Sequence, residues 1–217
     1  MILRRRSLIS DRLLGTINNE GNIQVNGGSG NNTFLFVDST KFTLEGGGKV
    51  TLSTAGGGGT AYILQEAGGT TLTNVNNTIQ GEGVIGNNGL TLVNESGGTI
   101  NANSTGSGVI TTLTLTSLSL TNQGLLEASN SDVLNIDGIN VLNDGGKITA
   151  NAGATVQLYG NADIEGGTLT NNGAFLGTAA GYAAYLDGST KQGDVTLKGT
   201  YTSALGSDTY LLGACRR

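Results

Sequence analysis

The sequence has no proline, no histidine and no tryptophan, one cysteine, and only four phenylalanines and six tyrosines in 217 residues. Each absence excludes something. Without histidine there is no Ser–His or Cys–His nucleophile pair and no imidazole metal site. With Cys215 alone, no intrachain disulfide forms, and cysteine usage does not report a redox compartment. Scarce aromatics remove the stacking platforms that single-stranded nucleic acid requires. Positive charge is short as well. Between Leu13 and Cys215 there are five Lys, no Arg and fifteen Asp or Glu, a balance of −10, while Arg4, Arg5, Arg6, Arg12, Arg216 and Arg217 lie at the ends. An acidic body without a basic stripe offers nothing to a phosphate backbone or an anionic membrane surface. No apolar run reaches the ~20 residues that span a bilayer. Neither nucleic acid nor membrane insertion is expected.

Glycine is abundant (38 residues), with many Asn, Ser and Thr. That composition alone suits disorder. Against it, Val, Ile and Leu alternate with polar residues through nearly the whole body, which is the strand period. Absence of proline keeps every ladder donor, and Gly and Asn accept the left-handed backbone of tight corners.

The organising stretch is Leu120–Ala128, LTNQGLLEA: an apolar residue, a spacer, Asn122, a Gly-containing corner, then Leu126 and Ala128 two apart on one strand face. The same frame fits Ile17–Asn19–Gly21–Ile23–Val25, Leu92–Asn94–Gly98–Ile100–Ala102, Val141–Asn143–Gly146–Ile148–Ala150 and Leu169–Asn171–Gly173–Phe175. Leu72–Asn74–Asn77–Ile79 is a looser copy; in Leu44–Gly46–Gly48–Val50 a Gly replaces the Asn, and near Gln192–Gly193–Val195 a Gln does. The marker positions 19, 46, 74, 94, 122, 143, 171 and 192 are spaced by 27, 28, 20, 28, 21, 28 and 21 residues. Repeats of that size mean a solenoid. In Thr111–Thr121, Leu113 and Leu115 give way to Leu118 and Leu120 with a phase slip at Ser117, which marks a corner between two strands of one coil. The Ala- and Tyr-rich region Thr178–Tyr185 fits the frame worst and is expected to be a loop or irregular rung. Leu13–Leu14–Gly15 and Leu211–Leu212–Gly213, 198 residues apart, suggest one superunit of a longer array, about 25 residues per coil.

Three motifs carry potential chemistry. Gly81–Glu82–Gly83–Val84–Ile85–Gly86 matches GxGxxG, but a phosphate cradle needs a following helix and strand-like Leu90 and Leu92 follow instead, so a glycine corner is expected. Gly27–Leu35 approaches the calcium nonapeptide with Asn32 at the acidic position; one uncharged copy reads as a loop. Asp163 and Glu165 share a strand face, and Asp132 and Asp137 flank another strand. Inverting glycosidases hold two carboxyls about 6.5–9.5 Å apart, yet the body has no Arg or His to orient substrate, so these acids read as solvated surface.

LTNVNNTIQGEGVIGNNGLTLVNESGGTINAN, LTNQGLLEA and GGKITANAGATVQL resemble the β-strand-repeat regions of large secreted bacterial surface proteins, namely autotransporter passengers and filamentous-haemagglutinin-type adhesins, over roughly residues 15 to 213. The resemblance implies a right-handed parallel β-helix, export across the bacterial envelope, an extracellular or cell-surface location, and a stalk or adhesive role toward host or environmental glycans or proteins. The apolar run after MILRRR is too short for a signal-peptide core, so export rests on the resemblance alone.

The expectation is therefore an all-β chain, a right-handed parallel β-helix of about eight rungs of 20–28 residues and ~38 Å length. Residues 1–12 form an irregular or helical cap, 13–213 the solenoid and 214–217 a tail. Asn19, Asn74, Asn94, Asn122, Asn143 and Asn171 form a structural ladder at one corner. No catalytic residue, cofactor or metal is expected. The alternatives are a carbohydrate-acting enzyme and a glycan-binding module, the latter requiring ranks of Thr or aromatics that TLTLT at Thr112–Thr116 does not extend to its neighbours. Open strand edges at both ends would permit end-on self-association.

Overall fold

A computed structural model describes residues 10–13, 15–104 and 111–213, and these form strands and corners with no helix. Successive strands visit three sheets in turn. Sheet A has nine strands from Ser10–Leu13 to Thr202–Ser203, sheet B nine from Thr16–Asn18 to Asp208–Gly213, and sheet C eight from Asn22–Gly28 to Val195–Lys198. Each strand pairs in parallel with the equivalent strand of the next coil. The chain is a parallel β-solenoid of about eight turns.

Strand alternation makes the core. In sheet C the inward residues stack as Ile23, Val50, Ile79, Ile100, Leu126, Ile148, Leu169 and Leu197. From Val50 to Leu169 they are at most 1% exposed, and burying each contributes about 1.5–3 kcal/mol before chain ordering is charged against it. Phe42, Leu72, Leu92, Leu120, Val141, Ile164, Leu186 and Leu211 do the same in sheet B. Leu211 is 74% exposed, since no described coil covers it.

Corners set the coil length. Between sheets C and A the chain uses four residues at 29–32 and at 57–60, only Glu82 in the next coil, nine at 103–111, and three or four thereafter. The single-residue corner works because Gly81 and Gly83 sit at φ of 113° and 142°, where a Cβ would also overlap Leu52 O and Ala61 O. That short corner accounts for the 20-residue step from Asn74 to Asn94, and the nine-residue one for the 28-residue step to Asn122.

Several expectations are corrected. Residues 178–185 are regular: Thr178 ends one strand, Ala179–Tyr182 is a corner closed by Tyr182 N donating to Ala179 O, and Ala183–Gly188 is a strand with Ala184 and Leu186 buried. Small residues there hid a normal alternation. At the Ser117 corner, Ser117 is buried and Leu118 exposed, so only Leu120 continues the core. Ser10–Leu13 is already a strand, paired with Thr33–Val37, so the solenoid begins ahead of Leu13. Residues 1–9 of the expected cap and the 214–217 tail lie outside the described residues. The two LLG triplets are not equivalent: Leu13 pairs with Val37 in sheet A, whereas Leu211 pairs with Leu186 in sheet B.

Candidate functional site

The most distinctive constellation is a column of buried amides where sheet B turns into sheet C. Asn74, Asn94, Asn122 and Asn143 are in register and fully buried. Asn74 Nδ2 donates to Asn94 Oδ1 (2.9 Å), Asn94 Nδ2 to Asn122 Oδ1 (2.9 Å), and Asn122 Nδ2 to Asn143 Oδ1 (2.8 Å). Second bonds tie three of the amides to their own corners: Asn74 Nδ2 to Asn77 O (2.9 Å), Asn94 Nδ2 to Gly98 O (3.1 Å) and Asn122 Nδ2 to Gly124 O (3.4 Å). The column closes where Asn143 Nδ2 donates to Gly166 O (3.1 Å). An unpaired buried amide costs about 1–3 kcal/mol, and here the fold gives each one a rung-to-rung partner.

A glycine covers each amide, which explains the Asn-to-Gly spacing of the repeat. A Cβ on Gly98, Gly124, Gly146 or Gly167 would run into the side chain of Asn74, Asn94, Asn122 or Asn143 respectively, and into neighbouring carbonyls. Gly21 has nothing within 4 Å of such a Cβ. Gly124→Ala is therefore expected to cost about 2–3 kcal/mol through overpacking, and Gly21→Ala to be near neutral. Thermal denaturation of the two variants checks this, and equal midpoints would contradict the covering role.

Asn19 and Asn171 do not stand in the column. Register places Ile17 and Leu44 below Asn74. Asn19 lies two residues further along, where its Nδ2 reaches Asn77 Oδ1 (2.8 Å) across the intervening coil, past Gly48, which has no side chain to block it. Asn171 pairs with Ala150 in sheet C and donates to Thr200 O (2.8 Å). The LTNNG string is a third of a turn out of phase, and Gly166 takes the column position.

The acidic candidates separate into two kinds. Asp132, 2% exposed, accepts from Ser104 N (2.6 Å), Thr111 N (2.8 Å) and Thr111 Oγ1 (3.0 Å). It clamps both described ends of the 103–111 corner. Asp163 and Glu165 face outward together, and register adds Asp187, which the sequence reading omitted, beside Glu165. Glu165 accepts from Asn140 Nδ2 and Asp187 from Ser189 N and Oγ. Asp163 Oδ1 is shielded without a hydrogen-bond partner. Burial first, then the carboxylates of Asp187 and Glu165, hold its pKa above the ordinary value.

A folded-state pKa above the unfolded one means a contribution that is most favourable with the group protonated and is lost as pH rises through the carboxylate range. Asp163→Asn should thus raise the melting temperature at neutral pH, and the difference from the parent should vanish in acid below the ordinary carboxylate pKa. A gap that persists in acid would contradict it.

The remaining motifs are corners and strands. Gly83–Gly86 is a sheet A strand with no helix after it. In the Gly27–Leu35 segment Asn32 Oδ1 accepts from Thr60 N (3.0 Å) of the next coil. Among the described residues no group of three or more His, Cys, Asp or Glu could hold a metal ion. Outward hydroxyls do rank on sheet B, where Thr71, Thr91 and Ser119 stack, as do Thr43 and Thr73 before Val93 interrupts that row ahead of Thr121. No protein-family model, no curated protein and no solved structure matches the chain.

Proposed function

We propose that the chain is a structural and adhesive β-solenoid segment of a secreted or surface-displayed bacterial protein, without catalysis. The observation that carries this reading is the use to which buried polar groups are put. The asparagine column and the Asp132 clamp all join one coil to another. Such bonding supports a rod of fixed cross-section whose stability accumulates from neighbouring coils. The acids at Asp163, Glu165 and Asp187 support the competing enzymatic reading less well, because two of the three are occupied by Asn140 and Ser189. Antibody raised against the folded chain should label intact cells of the producing bacterium, and external protease should remove the label. Labelling only after permeabilisation would overturn the surface assignment. Release of reducing ends from polygalacturonate, abolished in Asp163→Asn, would overturn the absence of catalysis.

A further inference from the structure

The last coil of the solenoid is apolar and open. All but Leu118 of the large hydrophobic side chains exposed among the described residues fall between Tyr182 and Leu212. Leu211 and Leu197 continue the inward columns of sheets B and C, yet they are 74% and 44% exposed. The inward hydroxyls beside them already have partners. Thr178 Oγ1, completely buried, bonds with Tyr201 OH (2.8 Å) and Thr209 Oγ1 (2.6 Å), and Ser203 Oγ bonds with Thr209 Oγ1. Val195–Lys198, Thr202–Ser203 and Asp208–Gly213 are each the last described strand of their sheet, and no proline or register shift interrupts them. What this end lacks is apolar cover and a neighbour for its strand edges.

The shape of the end selects its cover. Three strands make one turn, and a turn rises by one strand spacing, about 4.8 Å. The edge strands therefore climb as a ramp, with Val195–Lys198 lowest, Thr202–Ser203 in the middle and Asp208–Gly213 highest. A two-fold axis perpendicular to the rod, through the middle strand, turns this ramp onto itself. Thr202–Ser203 then lies beside its own copy, while the highest strand of each molecule lies beside the lowest strand of the other, every gap being one strand spacing. Adding the opposite end of a second copy fits less well. It would stack Ser10–Leu13 on sheet A and Thr16–Asn18 on sheet B, but sheet C has eight strands against nine in the others. Asn22–Gly28 would then stand about 9.6 Å from Val195–Lys198, two strand spacings, with no described strand between.

We infer that two copies of the chain join through these strands as a closed two-fold dimer. Strands related by such an axis run antiparallel, and residues directly opposite each other point to the same side. Setting Leu211 of one copy opposite Leu197 of the other meets that condition twice by symmetry and covers both leucines. The same register sets Tyr210 against Lys198 on the outer face, with Asp208 diagonal to that Lys, so an aromatic ring and an opposite charge both face the cation. The dimer is independent of the structural and adhesive reading, since a chain that is never displayed would still pair.

The test is sedimentation velocity of the full chain over a concentration series, which should show monomer and dimer and nothing larger. Leu211→Lys should weaken the dimer about a hundredfold or more, because each copy loses a leucine from the seam and places a charge there. Leu211 is 74% exposed in the single chain, so the melting midpoint, measured where the parent is monomeric, should stay unchanged in this variant. Geometry is read by mild oxidation in a Cys215→Ser background. Leu211→Cys mixed with Leu197→Cys should form a disulfide-linked pair, since opposite residues on antiparallel strands stand about 4.5–5.5 Å apart, and neither variant should do so alone. The cross-link is read without any loss of stability. A monomer at every concentration, species that keep growing past the dimer, a dimer indifferent to Leu211→Lys, or no cross-link in the mixture would each overturn the assignment.

Discussion

Ile148→Asp will collapse the middle of the solenoid, whereas Thr149→Asp, one residue away, will be tolerated. Ile148 is completely buried between Leu126 below and Leu169 above. A carboxylate there has no donor and must either stay charged in an apolar stack or take up a proton, at a cost of about 4–5 kcal/mol or more. Thr149 faces out, and its register neighbour is Glu127, whose carboxylate already accepts from Asn101 and Asn151. A second acid beside it adds a like-charge term of about 0.2–1 kcal/mol. The two melting midpoints should differ by about 10 °C or more for a chain of this size. Coincident midpoints would mean that this strand does not present one face to the core and the other to solvent.

The second large effect is in the amide column. Asn122→Leu removes the acceptor for Asn94 Nδ2 and the donor to Asn143 Oδ1, leaving groups on both sides without their partner in a dry corner. About 3–5 kcal/mol of destabilisation is expected. Leucine itself is not what the position rejects, since Leu44 occupies the same column one coil below Asn74 and is 1% exposed. Replacing Asn74, Asn94, Asn122 and Asn143 together with leucine leaves no amide stranded by another. The quadruple variant should therefore lose well under four times the single-site value, a non-additivity that denaturant titration of the single and quadruple variants measures. Strict additivity would show that the four amides act independently.

Much of this was legible in the sequence because a β-strand needs only a period of two and a coil only a recurring corner. Leu92, Leu120 and Val141 announce their column by spacing alone. Phase was harder. Leu169–Thr170–Asn171 has the same letters as Leu120–Thr121–Asn122, yet one belongs to sheet C and the other to sheet B; local pattern cannot say which third of a turn a strand occupies when corners vary from one to nine residues. The same difficulty concealed the outward ranks of Thr71, Thr91 and Ser119, and of Phe34 and Tyr62, whose members are 20 or more residues apart and meet only once register is known. Asn77 could have been found: Asn74–x–x–Asn77 repeats the amide within a single corner, and its side chain is the acceptor for Asn19.

The amide column also limits how a rod of this kind changes length. Every member donates toward the C-terminal side, and Asn94, Asn122 and Asn143 accept from the N-terminal side; the run starts at Asn74, whose Oδ1 is met by Asn77 N of its own corner, and stops at Asn143, which ends on a carbonyl. A newcomer inside that run must offer both functions from one short side chain and bring a glycine to lie over it. Growth or loss within the run thus proceeds in whole coils, each a self-contained word, while the corner between sheets C and A can lengthen or shorten residue by residue without disturbing the reading frame of the core.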